Sequence, residues 1–205
     1  MVTTYLFNTI LGSCLVILLI IIDYFRKFNT DRFQRNFYLW MLVFTLIAIL
    51  SDFLYVSVEG KPGKFRYYLL YIVNTVYFVF QILAYYLVVV FLDYMAYKNM
   101  ARTKILLCLT AAIQLINLGL LILNIPLGFY FSISADNYFV RGDKYYIRLI
   151  ISYFVILFAI GDLIIASKYL KRSQIYLLIF FSILSGSGAA LDLILGSGNL
   201  IWPCL

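Results

Sequence analysis

Asp52, Tyr55, Asn74, Tyr77, Gln81, Arg148, Asp192 and Trp202 are the residues with chemistry to offer, and all stand within or at the edges of long apolar runs. An ionisable or amide side chain in hydrocarbon is expensive, so it faces a bundle interior or a water-filled cavity and finds a partner there. The residue types suit binding. Aspartates accept, arginine donates, amides do both, and tyrosines add a flat apolar face with a polar tip. Histidine is absent from the chain, which removes the commonest general base and metal ligand. No nucleophile stands beside a base, and Cys14, Cys108 and Cys204 are scattered without zinc or disulfide spacing. We therefore expect no enzymatic activity of this chain itself, no metal and no cofactor.

Helical spacing gathers these residues into stripes. Tyr67, Asn74, Tyr77, Gln81 and Tyr85 share one face at a period of about 3.6 residues, as do Thr45, Ala48, Asp52, Tyr55 and Glu59. Arg148 and Ser152 are one turn apart, as are Gln114 and Asn117, and Ser185, Ala189 and Asp192 form another stripe. Polar residues also join membrane helices to one another, at about 0.6 kcal/mol per hydrogen bond. Glue explains any single amide; it explains two aspartates beside a tyrosine-rich stripe less well. The expected site is a pocket lined by Asp52, Tyr55, Asn74, Tyr77, Gln81, Arg148, Asp192 and Trp202, with Arg148 or Arg66 satisfying Asp52 or Asp192. The tyrosines would suit a flat molecule and Arg148 a carboxylate.

The elements that must carry these stripes are membrane spans. Of 205 residues, 65% are hydrophobic and 12% charged, with mean hydropathy +0.99. A soluble domain carries about a quarter charged residues. A spanning helix needs about 20 mostly apolar residues. Six runs qualify: 4–25, 37–58, 68–97, 104–124, 145–170 and 174–195. A seventh opens near Asn199 with LIWPCL, placing Pro203 as a kink in a truncated last helix. The expected fold is an all-α membrane bundle of seven helices, residues 1–205 forming a single sensor domain.

The connections set its orientation. Arg26, Lys27, Arg32 and Arg35, then Lys98, Arg102 and Lys104, then Lys168, Lys171 and Arg172 fall on one side. The other side carries fewer: Lys61, Lys64, Arg66, Arg141, Lys144 and Arg148, with the acids Glu59, Asp136 and Asp143. Excess Lys and Arg belongs in the cytoplasm, so the N-terminus is expected outside. Asp93 is read as a surface partner of Lys98, and Asp162 as a member of an inner network. The net charge of +7 sits in these short clusters, which argues against nucleic acid.

Between the fourth and fifth runs, FYFSISADNYFVRG alternates at both ends around a polar turn. Phe129–Ile133 and Tyr138–Gly142 are expected to pair across Ser134–Asn137, since Asp and Asn favour turns. A lone hairpin is marginal in water. This one is expected to lie over the outer mouth of the bundle as a lid, with Tyr130, Tyr138 and Arg141 facing the site.

Seven helices with the N-terminus outside, the stretch SADNYFVRGDKYY between the fourth and fifth, and a seventh opening with LIWP resemble the N-terminal sensor region of bacterial diguanylate cyclases (GGDEF proteins) and histidine kinases. The resemblance implies an inner-membrane receptor whose cytoplasmic output domain follows in cis, and a homodimer, because both kinds of output work as dimers. It supplies no fixed set of ligand contacts. The expected function is ligand sensing from the outside. A small-solute transporter or channel is the rival, weakened by the lack of an internal repeat.

Overall fold

The computed structural model describes residues 32–169, and four of the expected runs fall within it. They form helices α1 (Arg32–Val58), α2 (Lys64–Tyr97), α3 (Met100–Leu127) and α4 (Tyr145–Ala166), with a 3-10 turn Ser167–Tyr169 closing the last. All four are long and apolar enough to cross a bilayer, as in a multi-pass membrane protein. The first, sixth and seventh runs, with Asp192, Trp202 and Pro203, lie outside the described residues.

α1, α2 and α3 begin before their apolar runs, because hydropathy sees only the part that needs lipid, while α4 begins with its run at Tyr145. α2 reaches 34 residues, about 51 Å at 1.5 Å per residue, longer than the hydrocarbon layer. It is the central helix and packs against α1, α3, α4 and the hairpin. The α2–α3 turn is tight. Lys98 takes a left-handed conformation, and the Asn99 side chain caps α3 by accepting from the Ala101 and Arg102 backbone N–H groups at 3.0 and 3.2 Å. An Asn at this position satisfies donors that have no partner within the helix.

At the opposite end, called here the hairpin end, strands β1 (Phe131–Ile133) and β2 (Phe139–Arg141) pair antiparallel, with Phe131 opposite Arg141 and Ile133 opposite Phe139. The strands are shorter than the alternation suggested. Phe129 and Tyr130 are taken up in closing off α3, and Gly142 in starting α4. Gly128 caps α3 in the left-handed region, its N–H donating to the Asn124 carbonyl at 2.8 Å. Gly142 donates to the Tyr130 carbonyl at 2.9 Å. A Cβ on Gly142 would collide with the Phe129 backbone, so only glycine fits this approach.

The hairpin leans its aromatic face on α2. Phe131 and Phe139 stack at 5.6 Å, Phe131 lies 4.9 Å from Tyr71 and 5.3 Å from Phe78, and Phe139 meets Tyr55 of α1 at 6.3 Å. Together with Leu70, Val73, Tyr77, Leu121 and Tyr130 these rings make the main buried cluster. A two-stranded ribbon gains its stability from such packing, not from its own ladder.

Candidate functional site

Two polar clusters centre on arginines among the described residues, one at each end of the helices. Arg148 is buried, whereas the Arg102 side chain is 42% exposed above two buried aspartates. The first centres on Arg148, which enters α4 one turn from its start and is 3% exposed. Its Nη2 donates to Gln81 Oε1 of α2 at 2.6 Å, and its Nη1 donates to the Tyr145 hydroxyl. The guanidinium lies 4.0 Å from the centre of the Phe78 ring, with Tyr145 at 5.3 Å and Tyr77 at 5.9 Å. Arginine stacks well on aromatic faces because its delocalised charge is weakly hydrated.

Among the described residues no carboxylate lies within ion-pair distance of Arg148. The expected pairing with Asp52 is not made. The facing residue on α2 is Gln81, which meets the guanidinium first. Arg66 donates to the Pro62 carbonyl at 2.9 Å, so it does not reach Asp52 either. Asp52 is partly buried on α1, within electrostatic reach of Tyr55 and Tyr77. The Tyr55 hydroxyl donates to Glu59, which in turn accepts from the Phe139 backbone N–H at 3.2 Å. That chain ties the end of α1 to β2.

Among the described residues, several buried polar atoms around Arg148 have no hydrogen-bond partner: Arg148 Nε, the Tyr77 and Tyr130 hydroxyls, and Ser152 Oγ one turn along α4. Buried polar atoms are nearly always paired, and each exception calls for an explanation. Tyr130 precedes β1 and is fully buried; burial pushes its phenol up to about 12, with the Arg148 charge pulling the other way.

Of the expected site residues, the structure brings Asp52, Tyr55, Tyr77, Gln81 and Arg148 to one region, with Tyr130 from the hairpin. Asn74 is buried but turned onto its own helix, donating to the Leu70 carbonyl at 2.8 Å. Tyr138 is exposed, its hydroxyl filling the space where a Cβ on Gly60 would stand. Arg141 stacks on Tyr145 at 4.9 Å. Neither Tyr138 nor Arg141 touches the Arg148 guanidinium. Their part is to shape the hairpin's edge.

Two asparagines hold the hairpin in place. Asn124, fully buried near the end of α3, accepts from the Tyr130 and Phe131 backbone N–H groups at 2.7 and 3.2 Å. Its Nδ2 donates to the Phe131 carbonyl and the Tyr71 hydroxyl, both at 2.9 Å. Asn137 sits at the tip at φ +60° and donates to the Lys61 carbonyl at 2.7 Å, while the Gly60 N–H donates to the Asn137 carbonyl at 2.9 Å. Asn tolerates that left-handed backbone better than most residues. Asn124 stands seven residues from Asn117, on the face of the Gln114 and Asn117 pair, and that extension of the stripe is the signal that sequence reasoning missed. Asn137 was legible only as a turn residue.

The second cluster is at the far end. Arg102, at the start of α3, donates through Nε to Asp93 of α2 at 2.5 Å and through Nη2 to Asp162 of α4 at 2.9 Å. Its guanidinium also lies 4.2 Å from the Tyr97 ring. Asp162 thus belongs to an inner network, as expected. The surface reading of Asp93 is corrected. It is fully buried, because α2 continues past it to Tyr97 and the tight turn folds Arg102 back over it. Lys98 instead lies over the Tyr94 ring at 4.9 Å.

No family model, curated protein or solved structure matches the chain.

Proposed function

We propose that this chain is the ligand-sensing membrane module of a bacterial signalling protein. A small molecule enters from the hairpin side and binds between the helices at Arg148. The single observation that carries the reading is the buried guanidinium held by neutral groups beneath an aromatic hairpin, among other polar atoms that lack partners. Intramembrane ionisable groups that are not fully paired are functional by default. A passive anchor has no use for one.

The hairpin is the lid of this site. Phe78 touches Phe131, Phe139 and Arg148, so a ligand on Arg148 and the seating of the hairpin bear on the same ring. Arg32, Arg35, Lys98, Arg102, Lys104 and Lys168 stand at the far end, and Lys61, Lys64, Arg66, Arg141, Lys144 and Arg148 at the hairpin end. It is therefore Arg26, Lys27, Lys171 and Arg172, read from the sequence outside the described residues, that tip the basic count toward the far-end side. That distribution favours a cytoplasmic far end, an N-terminus outside and a seven-helix bundle in the inner membrane. By the resemblance of SADNYFVRGDKYY and LIWP to sensor regions, the module controls a diguanylate cyclase or kinase in cis as a homodimer. Ligand binding shifts the helix packing only by its differential affinity for two arrangements, and α2 and α4, which meet at both clusters, are the elements to carry the shift.

The test is whether the two ends are coupled. Spin labels at Ala96→Cys and Lys168→Cys, in a background with Cys14, Cys108 and Cys204 changed to Ala, report the separation of α2 and α4 at the far end. With Arg148→Gln added, the distance distribution is expected to shift. An unchanged distribution removes the receptor reading, and saturable uptake of solute by liposomes holding the protein would put a transporter in its place.

A further inference from the structure

We infer that the Arg148 cluster binds the carboxylate of a small molecule with a planar apolar body. This deepens the receptor reading and rests on it for the site's role, though not for its chemistry.

Arg148 Nε carries a hydrogen and can only donate, while the Tyr77, Tyr130 and Ser152 hydroxyls can each donate one. The cluster's strongest acceptor, Gln81 Oε1, is already engaged by Nη2 at 2.6 Å. Only an acceptor can satisfy Nε, and an acceptor-rich guest also takes the hydroxyl protons, although the hydroxyls themselves can accept as well as donate. An ionised carboxylate is acceptor-only, with about four lone-pair positions on two oxygens.

Charge selects the same guest. Arg148 is 3% exposed and has no carboxylate within ion-pair distance among the described residues. A buried cation calls for one compensating negative charge. A monocarboxylate supplies one, whereas a doubly charged phosphate would leave an excess of the opposite sign. Asp52 forms no ion pair with Arg148 among the described residues, although both charges act on Tyr77.

The surroundings select the rest of the molecule. Phe78, Tyr77 and Tyr145 ring the guanidinium at 4.0–5.9 Å, and Phe131 and Phe139 meet Phe78 in edge contacts behind it. This wall offers little to sugar hydroxyls or a second charged group, but it suits a flat apolar body in offset or edge contact.

The experiment is calorimetric titration of the purified full chain in nanodiscs with benzoate and with benzamide, its neutral isostere. Benzoate is expected to bind saturably and benzamide at least about tenfold more weakly, the loss expected for a hydrogen bond to a charged group. Arg148→Gln abolishes benzoate binding, and Arg148→Lys weakens it at least about tenfold, because an ammonium does not reproduce the planar fork. Should either fail to fold, Tyr77→Phe and Ser152→Ala each remove one unpaired hydroxyl and weaken benzoate several-fold. Absent benzoate binding, equal binding of benzamide, or binding kept in Arg148→Gln overturns the inference. So does benzoate binding that appears only in Asp192→Asn, since that would make the chain's own aspartate the counter-ion. Benzoate binding with no change in the spin-label distances would keep the ligand class and remove the receptor reading. A far-end shift in Arg148→Gln without benzoate binding would do the reverse.

Discussion

The two arginine-centred clusters are built from the same parts in opposite proportion. At the far end one arginine meets two aspartates from two other helices. At the hairpin end one arginine meets an amide and a phenol, with no acid in reach among the described residues. The first arrangement pairs its charges, although Asp93 Oδ2 and Asp162 Oδ2 have no hydrogen-bond partner among the described residues. It joins α2, α3 and α4 through charged hydrogen bonds, the strong kind. The second leaves a positive charge and several donors without a counterpart. On the proposed reading the charge-paired cluster serves stability and the one without an acid serves binding, because a guest can bring the second arginine its missing negative charge.

The largest effect should come from breaking the charge-paired cluster. Arg102→Ala strands two buried carboxylates and is expected to lower the unfolding free energy by about 3 kcal/mol, read by denaturant titration in detergent. Adding Asp93→Asn and Asp162→Asn should recover part of that loss, since no charge then remains to be compensated. If Arg102→Ala unfolds like wild type, the far end is not a clamp.

Next comes the hairpin's seat. Asn124→Leu removes the acceptor of the Tyr130 and Phe131 N–H groups and the donor to the Phe131 carbonyl. Leaving those groups buried and unpaired should cost about 2–3 kcal/mol. Asn137→Ala loses its bond to Lys61 and strains a left-handed residue, for about 1–2 kcal/mol. Its local effect should appear as faster hydrogen exchange over residues 131–141, while the far end stays protected.

The smallest effect sharpens the contrast most. Arg148→Gln should change the stability of the unliganded protein by less than about 1 kcal/mol: lost hydrogen bonds and ring contact are offset by no longer burying an unpaired cation. Loss of the arginine charge is thus expected to be costly at one end and nearly silent at the other.

How far the sequence revealed this is itself divided. The four described spans and the hairpin were legible, because hydropathy, the polar turn and the flanking alternation are local signals. So was the gathering of Tyr55, Tyr77 and Gln81, since a stripe on one helix keeps its face. The partners were not legible. Charge complementarity pointed Arg148 to an aspartate, but the rotation of α2 about its axis places Gln81 there, and one sequence carries no direct signal of that rotation. Asp93 and Arg102 are nine residues apart, yet Asp162 comes in from sixty further on. Asn74 shows the opposite error. Its place on the stripe was right, but its side chain bonds its own helix, as polar residues four positions from a carbonyl can.

The measurement that bears most directly on the central claim is the unfolding free energy of wild type and Arg148→Gln, each with and without saturating benzoate. The account predicts that the two are about equally stable alone and that benzoate stabilises only wild type, by an amount that grows with its concentration. If Arg148→Gln is several kcal/mol less stable on its own and benzoate stabilises neither protein, Arg148 is a structural residue like Arg102 and the hairpin end is not a binding site.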